Sequence, residues 1–229
     1  IPLRLVGSEM CIRDSFGINE AWFIFTAIEW TLALSAVAFA GGAVGGLLVA
    51  LARVSKSRLL NVPALAFIRL FQGTPLLMQL FLTYFGLRML GLGLGPWTAA
   101  AIALTLHASA FLGEIWRGCI EAVPEGQSEA SWALGLSYFD RMQSVVLPQA
   151  ARIAVAPTVG FLVQLIKGTS LASIIGFVEL MRAGQIVNNA TFSPFKVYGL
   201  VALIYFFLCW PLSILARRME GRYAAMAKR

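Results

Sequence analysis

Long apolar runs alternate with short polar or glycine-rich stretches along most of this chain. A helix needs about 20 apolar residues to cross the hydrocarbon core of a membrane. By that measure the pattern predicts five membrane-spanning helices, at residues 21–52, 63–90, 97–116, 150–175 and 195–216. Residues 176–194 are more polar, and they predict an outer re-entrant or surface helix between the last two spans.

Glycine and proline mark special places inside two of these spans. Glycines four residues apart lie on one helix face and allow a neighbouring helix to approach closely, and the first span carries Gly41, Gly42, Gly45 and Gly46. The second span is interrupted by Gly73-Thr74-Pro75, where proline removes a helical hydrogen bond. Such a break either exposes backbone groups to a cavity or is a packing kink only, and the sequence leaves both alternatives open.

A water-facing segment between the third and fourth spans predicts two short helices joined by a bend. Pro124 can open the first helix, because its missing amide hydrogen costs nothing there. Gly135 can end that helix in a left-handed conformation, and Ser137 can cap the second helix. Pro148 ends or kinks the second helix. Residues 124–148, called the elbow below, therefore form a helix–glycine–helix projection suited to contact with a soluble partner.

Composition and charge support a membrane protein and suggest its orientation. The chain is 59% hydrophobic and 13% charged, whereas soluble domains carry about a quarter charged residues. The net charge of +7 could suggest nucleic acid, but the basic residues are too dispersed. Cytoplasmic loops carry excess Lys and Arg, which predicts an outer N-terminus, a cytoplasmic C-terminus and a cytoplasmic elbow. Eleven basic residues then lie inside, against three in the outer segments: Arg88, Arg182 and Lys196.

The elbow also carries an ordered motif. It reads Glu-Ala-Ser, three residues, Gly, nine residues, Val, one residue, Leu-Pro, and the positions are Glu129, Ala130, Ser131, Gly135, Val145, Leu147 and Pro148. This resembles the EAA loop of ATP-binding-cassette (ABC) importer permeases, whose pattern is EAA, three, G, nine, I, one, LP. Ser131 and Val145 are mild departures from that pattern. The likeness extends to segments 73–81, 113–118, 147–157, 167–176 and 182–185, and it points to the polar amino acid uptake subfamily.

The resemblance implies an all-α integral membrane protein with about five helices of the type I ABC importer permease fold. Residues 16–223 would form a single permease domain with a cytoplasmic coupling-helix elbow. Two cytoplasmic ATPase subunits would receive that elbow through Glu129, Ala130, Ser131, Gly135, Leu147 and Pro148. A second permease copy or a sister permease would complete the pathway, and a periplasmic solute-binding protein would deliver the amino acid. The setting would be the bacterial inner membrane, with ATP bound by the partner and no cofactor in this chain.

Polar residues at membrane depth are costly and tend to face a cavity, so they are candidates for the substrate pathway. They are Gln79, His107, Glu114, Gln164, Lys167, Thr169 and Ser170. Each has a structural alternative. His107 can be a hydrogen-bonded packing residue, Glu114 can meet the elbow or Arg117, and Lys167 can reach the interface with its long stem. The family usually carries Asp after this lysine; Gly168 stands there instead, so another acidic residue would have to bind a cationic substrate group.

Other classes of function fit the sequence less well. No Walker A sequence is present, so the chain itself should not hydrolyse ATP. The main alternative is a stand-alone ion-coupled carrier or channel for small polar solutes, but inverted repeats and a chain of buried acidic residues are not found. An intramembrane enzyme is disfavoured by a single histidine without a nucleophile–base pair. The three cysteines have no metal-ligand spacing.

The two ends of the chain are set apart from the spans. Residues 1–15 are mixed in polarity and lack the long apolar core of a signal peptide. They are expected to be a non-native or disordered segment, in which residues 6–15 are a cloning or sequence-assembly scar, and the alternative is a native periplasmic tail. Residues 224–229 are expected to form a cytoplasmic tail.

Overall fold

The computed structural model of the chain describes residues 16–227, and the elements in that range are helices and turns. In the first half of the chain the helices are α1 (Ile18–Thr26), α2 (Ile28–Val54), α3 (Arg58–Gly73), α4 (Leu76–Phe81), α5 (Leu87–Met89) and α6 (Pro96–Glu121). In the second half they are α7 (Glu125–Ala133), α8 (Tyr138–Arg141), α9 (Leu147–Gly168), α10 (Leu180–Thr191) and α11 (Pro194–Ala227). Two π turns, Leu82–Gly86 and Met142–Val146, and a 3-10 helix, Thr169–Ile175, join neighbouring helices.

Each of the five predicted spans corresponds, in the predicted order, to a helical segment of the structure. Within residues 16–227, four helical stretches are long and apolar enough to cross a membrane, and a fifth results if α3 and the bent segment after it count as one span. Several boundaries differ from prediction: α6 extends to Glu121 and α9 begins at Leu147. α3 begins at Arg58 and contains Pro63, and α11 continues through residues 224–227 of the predicted tail. The prediction for residues 1–15 falls outside the described part of the chain.

The centre of the fold is the contact between α2 and α6. A Cβ atom added at Gly42 would lie 2.4 Å from the Cβ of Ala108, and one added at Gly46 would lie 2.8 Å from the Cβ of Leu112. Neither distance is tolerable, so only glycine allows the two helices to lie this close. The predicted close approach of the first span to a neighbour is thereby confirmed.

The break at Gly73-Thr74-Pro75 turns the chain by 105° between α3 and the segment that follows it. Thr74 and Pro75 adopt extended backbone conformations there. After the turn, α4 packs against α6 and against the 3-10 helix that follows α9. The break therefore brings the second predicted span to the polar residues of the third and fourth.

Residues 176–194 form the predicted helix, α10, but one of its faces is fully buried. A second apolar core joins α10 to α1 and α11 through residues that include Ile24, Leu180 and Val197, each of which is 0% exposed. Gly184 lies against Val201 of α11. This helix is consequently part of the packed body of the protein.

Candidate functional site

The elbow is bent by a left-handed glycine, as the sequence predicts. Gly135 has φ +77° directly after α7. Its amide donates to the carbonyl of Trp132 at 2.9 Å, and the amide of Leu136 donates to the carbonyl of Ser131 at 3.2 Å. These two bonds are the Schellman arrangement that ends a helix with a left-handed residue. The direction of the bend is therefore encoded within six residues.

The second arm of the elbow begins at a capping serine, also as predicted. The hydroxyl oxygen of Ser137 accepts a hydrogen bond from the amide of Asp140 at 3.2 Å. From α8 the chain passes through the π turn Met142–Val146 into α9, and Pro148 lies in the first turn of α9. Of the two alternatives for Pro148, the structure excludes a helix end, because the chain remains helical from Tyr138 into α9 through this π turn. A π turn can accommodate a residue that lacks an amide hydrogen without ending the helix.

The surface of the elbow combines polar and apolar groups. Glu129 and Ala130 are exposed, and the side chains of Trp132 and Leu134 are 74% and 82% exposed. Ser131 differs from its two neighbours, because it is buried and its hydroxyl donates to the carbonyl of Ser128 at 2.8 Å. Leu147 is half-buried and Pro148 is exposed. Contiguous exposed apolar side chains are typical of a surface that interacts with a protein or a membrane.

A small apolar cluster connects the elbow to the spans. Val123, at the end of α6, packs with Val146 and Ala150, and Met142 and Ile153 lie against them. The cluster therefore joins the end of α6 to the start of α9 on either side of the bend. A displacement of the elbow would be transmitted to both helices through this contact.

Gln79 and His107 form a buried pair beside the break in the second span. The side-chain nitrogen Nε2 of Gln79 lies 2.8 Å from the carbonyl oxygen of Phe71 and 3.0 Å from that of Thr74. In a continuous helix the Phe71 carbonyl would accept from residue 75, but Pro75 has no amide hydrogen. Gln79 supplies the missing donor, so a cavity is not needed to satisfy this carbonyl.

His107 completes the pair from α6. Its Nδ1 lies 3.1 Å from Oε1 of Gln79, its side chain is buried, and its ring centroid lies 4.4 Å from that of Phe111. These contacts match the structural alternative for His107, a hydrogen-bonded packing residue. The pair holds α4 against α6 at the position where the span turns.

The four candidates at the end of α9 divide into two kinds. Gln164 and Lys167 are exposed one turn apart on the same face. Thr169 is buried and donates to the carbonyl of Ile166 at 2.7 Å, while Ser170 donates to the carbonyl of Lys167 at 2.7 Å. The amide and the ammonium group are therefore available to a ligand, whereas both hydroxyls already bond to their own helix.

Gly168 lies between these residues and faces the broken span. A Cβ atom added there would lie 3.2 Å from Cδ2 of Leu76 in α4. A side chain at this position would compete with Leu76 for space, so the departure from the family's usual aspartate is matched by close packing. The end of α9 and the Gln79–His107 pair are thus joined through α4.

Glu114 belongs to a different group, nearer the elbow. Nη2 of Arg117 lies 2.6 Å and Nε 2.9 Å from its carboxylate, and Arg117 also pairs with Glu121. Of the alternatives for Glu114, pairing with Arg117 is the one that the structure shows. Among residues 16–227 no group of three or more His, Cys, Asp or Glu side chains could hold a metal ion.

Glu179 is a buried polar residue that sequence reasoning missed. Its carboxylate is 0% exposed, accepts from the amides of Met181 and Arg182 at 2.9 and 2.8 Å, and accepts from the hydroxyl of Tyr205 at 2.9 Å. It therefore caps α10 and ties that helix to α11. The sequence feature that could have revealed it is a single Glu in the apolar run Phe177-Val178-Glu179-Leu180-Met181, directly before the first residue of α10.

Comparisons with known proteins agree with this architecture. Residues 42–224 match the family model described as "Binding-protein-dependent transport system inner membrane component". The chain is 39% identical over 216 residues to "Probable amino-acid ABC transporter permease protein YckA" of Bacillus subtilis (strain 168), covering 94% of this chain and 96% of the relative. It is 37% identical over 196 residues to the glutamine transport system permease protein GlnP of Escherichia coli (strain K12), covering 85% and 90%.

Solved structures share the fold. A chain in the crystal structure of an amino acid ABC transporter with histidines superposes with a TM-score of 0.83 at 33% identity, covering 87% of this chain and 94% of that one. An inward-facing structure of the MetNI methionine ABC transporter superposes with a TM-score of 0.75 at 21% identity and supports the fold alone. The alternative of a stand-alone ion-coupled carrier is not favoured by these relatives. With four-fifths of its length matched to the family model, this chain belongs to the binding-protein-dependent transport system inner membrane component family of ABC importer permeases.

Proposed function

We propose that this chain is the membrane subunit of an ATP-driven importer of polar amino acids and that the elbow couples it to the ATPase. The observation that carries the proposal is the elbow itself, a bend with Glu129 and Ala130 exposed beside apolar Trp132 and Leu134. The bend is braced by the Schellman bonds at Gly135 and connected to α6 and α9. Force applied at this surface would reach two of the four long spans.

ATP would be bound and hydrolysed by two cytoplasmic partner subunits, and this chain would need no cofactor and have no enzymatic activity. The absence of a Walker A sequence supports that division of labour. Glu129 would make the polar contact with the partner, and Ala130 would allow its backbone to approach closely. Coupling requires that the nucleotide-bound partner prefer one of two arrangements of the spans.

The charge asymmetry supports an orientation with the N-terminus outside and the C-terminus and elbow in the cytoplasm of a bacterial cell. Four or five spans are too few to enclose a pathway, so a second permease, identical or related, would complete it. A periplasmic solute-binding protein would deliver the substrate on the outer side, as the family description implies.

The exposed pair Gln164 and Lys167 is the part of the candidate pathway best suited to a polar amino acid. An ammonium group can attract a substrate carboxylate, and an amide can both donate and accept. Gln79 and His107 would support this pair indirectly, because their hydrogen bonds hold α4 to α3 and α6, and α4 packs against the 3-10 helix that follows α9. Names of relatives that mention amino acids and glutamine support this substrate class.

A charge reversal at the elbow tests the proposal. Glu129→Lys should reduce capture of the ATPase by the purified permease at least tenfold and abolish uptake, because a cation would replace the exposed carboxylate. Gly135→Pro should do the same, since proline cannot adopt φ +77°. Capture is measured by pull-down and uptake in reconstituted vesicles with the binding protein present.

Glu125→Lys is the matched control, because Glu125 is exposed one turn earlier on α7 and lies outside the motif. It should retain capture and uptake. Capture that is equally strong with Glu129→Lys and Glu125→Lys would show that the ATPase binds elsewhere.

A further inference from the structure

A cleft lies between the elbow and the end of the first long span. Its volume is about 1470 Å³, and one wall consists of the last turns of α2 and the loop to α3. The opposite wall consists of α8 and the residues on either side of it. The residues that decide its chemistry are Leu48, Leu51, Lys56, Tyr138, Arg141 and Leu147. It is separate from the Gln79–His107 pair and from the exposed carboxylate of Glu129.

The polar part of the cleft is cationic. Lys56 and Arg141 line it from opposite walls, Ser55, Ser57 and Ser137 add hydroxyl groups, and no Asp or Glu is among its lining residues. The nearby carboxylate of Asp140 accepts the hydroxyl of Ser137 instead. Two cations without a lining carboxylate make this part of the cleft complementary to an anion.

Arg141 has unused hydrogen-bonding capacity in this setting. Its guanidinium carbon lies 5.4 Å from the centroid of the Tyr138 ring, and its Nε atom is buried without a hydrogen-bond partner in the described part of the chain. Burial of an unpaired polar group is unfavourable unless a ligand supplies the acceptor. A phosphate oxygen is a suitable acceptor, because arginine binds phosphate with short, charge-assisted hydrogen bonds.

The rest of the lining is mainly apolar, and part of it comes from a helix that is long and apolar enough to cross a membrane. Leu48 and Leu51 belong to the last turns of a membrane-spanning helix, and Leu60 and Leu147 extend the same surface. Tyr138 also lines the cleft, and tyrosine favours the boundary between hydrocarbon and water. An anionic headgroup and an attached acyl chain would satisfy both parts together, whereas free phosphate would leave the leucines uncovered.

We propose that this cleft binds an anionic phospholipid. The phosphate would lie between Lys56 and Arg141, and the part of an acyl chain nearest the headgroup would lie along Leu48 and Leu51. Basic pockets at the ends of membrane helices bind anionic headgroups in this manner. The bound lipid would bridge α2 and the second arm of the elbow. Its location in the inner leaflet rests on the proposed orientation, but the site itself does not.

Native mass spectrometry of the full chain in detergent tests the proposal. The probes are dioleoyl phosphatidylglycerol and dioleoyl phosphatidylcholine, which share acyl chains and differ in headgroup charge. The wild-type chain should retain phosphatidylglycerol in preference to phosphatidylcholine. Each basic residue at an anionic lipid surface contributes about a fivefold change in affinity. Lys56→Gln with Arg141→Gln should therefore weaken phosphatidylglycerol binding roughly 25-fold, and Lys56→Gln alone about fivefold.

Two matched controls remove the same charge nearby. Arg58 follows Lys56 by two residues and Arg152 is exposed on α9, and neither lines the cleft. Arg58→Gln and Arg152→Gln should leave the preference within twofold of wild type. Lys56 is exposed, so its single variant tests the site even where the double variant does not fold.

The proposal is overturned by phosphatidylglycerol binding that is equal in Lys56→Gln and Arg58→Gln, or by equal retention of the two lipids in the wild-type chain. It is also overturned if the double variant no longer associates with a second copy of the chain but still binds the lipid, since the cleft would then be a contact between two protein chains. None of these readouts requires the ATPase, so they fail or succeed independently of the pull-down with Glu129→Lys.

Discussion

The elbow and the region around α10 keep their polar groups in place by opposite means. In the elbow every defining hydrogen bond joins residues no more than five positions apart, as in the bonds from Gly135 to Trp132 and from Leu136 to Ser131. Around α10, the carboxylate of Glu179 reaches Tyr205, and the amide of Leu180 donates to the hydroxyl of Thr31, 149 residues away. One region is folded locally and the other is held by distant segments.

This difference reflects two requirements, one for a surface that binds another protein and one for polar groups buried in an apolar body. A surface that binds another protein gains affinity from being exposed and preformed, because few residues have to become ordered on binding. Buried polar groups in an apolar body must be fully paired, since an unpaired one costs about 1–3 kcal/mol. We therefore expect variants around α10 to lower the stability of the whole fold, and variants in the elbow to act locally.

The largest effect is expected for Glu179→Ala. The change removes the acceptor for two backbone amides and for the Tyr205 hydroxyl in a fully buried position. Loss of the cap and of the tie to α11 should lower the free energy of unfolding by about 3 kcal/mol. The measurement is thermal unfolding of the purified chain in detergent.

Tyr205→Phe sharpens this result, because it removes only the bond between α10 and α11 and leaves the cap of α10 intact. We expect a loss of about 1 kcal/mol from that variant. Equal losses from Glu179→Ala and Tyr205→Phe would mean that the cap contributes nothing and that the tie accounts for the whole effect.

The same contrast explains what the sequence could predict. The bend at Gly135 and the cap at Ser137 follow from local chemistry, as does the packing of α2 through its glycines, and all three are confirmed. The partners of Gln79 and Glu179 depend on which spans become neighbours, and no local pattern contains that information. The role of Gln79 is understood only when the 105° turn at Pro75 is known, because the carbonyl of Phe71 lacks its helical donor only at that turn.

The sequence left two alternatives open at Pro148 for a related reason. Proline is normally read as a helix end, but the π turn at Met142–Val146 lets the chain remain helical from Tyr138 into α9. A π turn has no characteristic residue composition, so the sequence did not predict it. The positions of the motif residues could thus be read from the sequence, whereas the path of the chain through them could not.

A smaller effect is expected at the contact between α2 and α6, where distant segments again meet. Gly42→Ala would place a methyl group 2.4 Å from the Cβ of Ala108 and 3.3 Å from its carbonyl carbon. The two helices must separate to accept it, and overpacking of this kind costs about 2 kcal/mol. Thermal unfolding in detergent measures the loss.

Gly160→Ala is the control for that change. Gly160 lies within α9, and an added Cβ would meet nothing within 4 Å. Replacing a helical glycine by alanine in open space should leave stability unchanged or raise it by up to about 1 kcal/mol. If Gly42→Ala were as harmless as Gly160→Ala, the close approach of α2 and α6 would not be a source of stability.

The smallest effect on the whole fold is expected at the elbow, from Gly135→Ala. A side chain at φ +77° is disfavoured by about 1 kcal/mol, and this strain should loosen the Schellman bonds without reaching α10. Hydrogen exchange should become about fivefold faster at the amides of residues 135 and 136, and the melting temperature should be nearly unchanged.

Gly126→Ala is the control. Gly126 lies in the helical part of α7 with nothing within 4 Å of an added Cβ, so this variant should not accelerate exchange. A melting temperature lowered by Gly135→Ala as far as by Glu179→Ala would show that both regions unfold as one unit, and the distinction between local and distant support would then be lost.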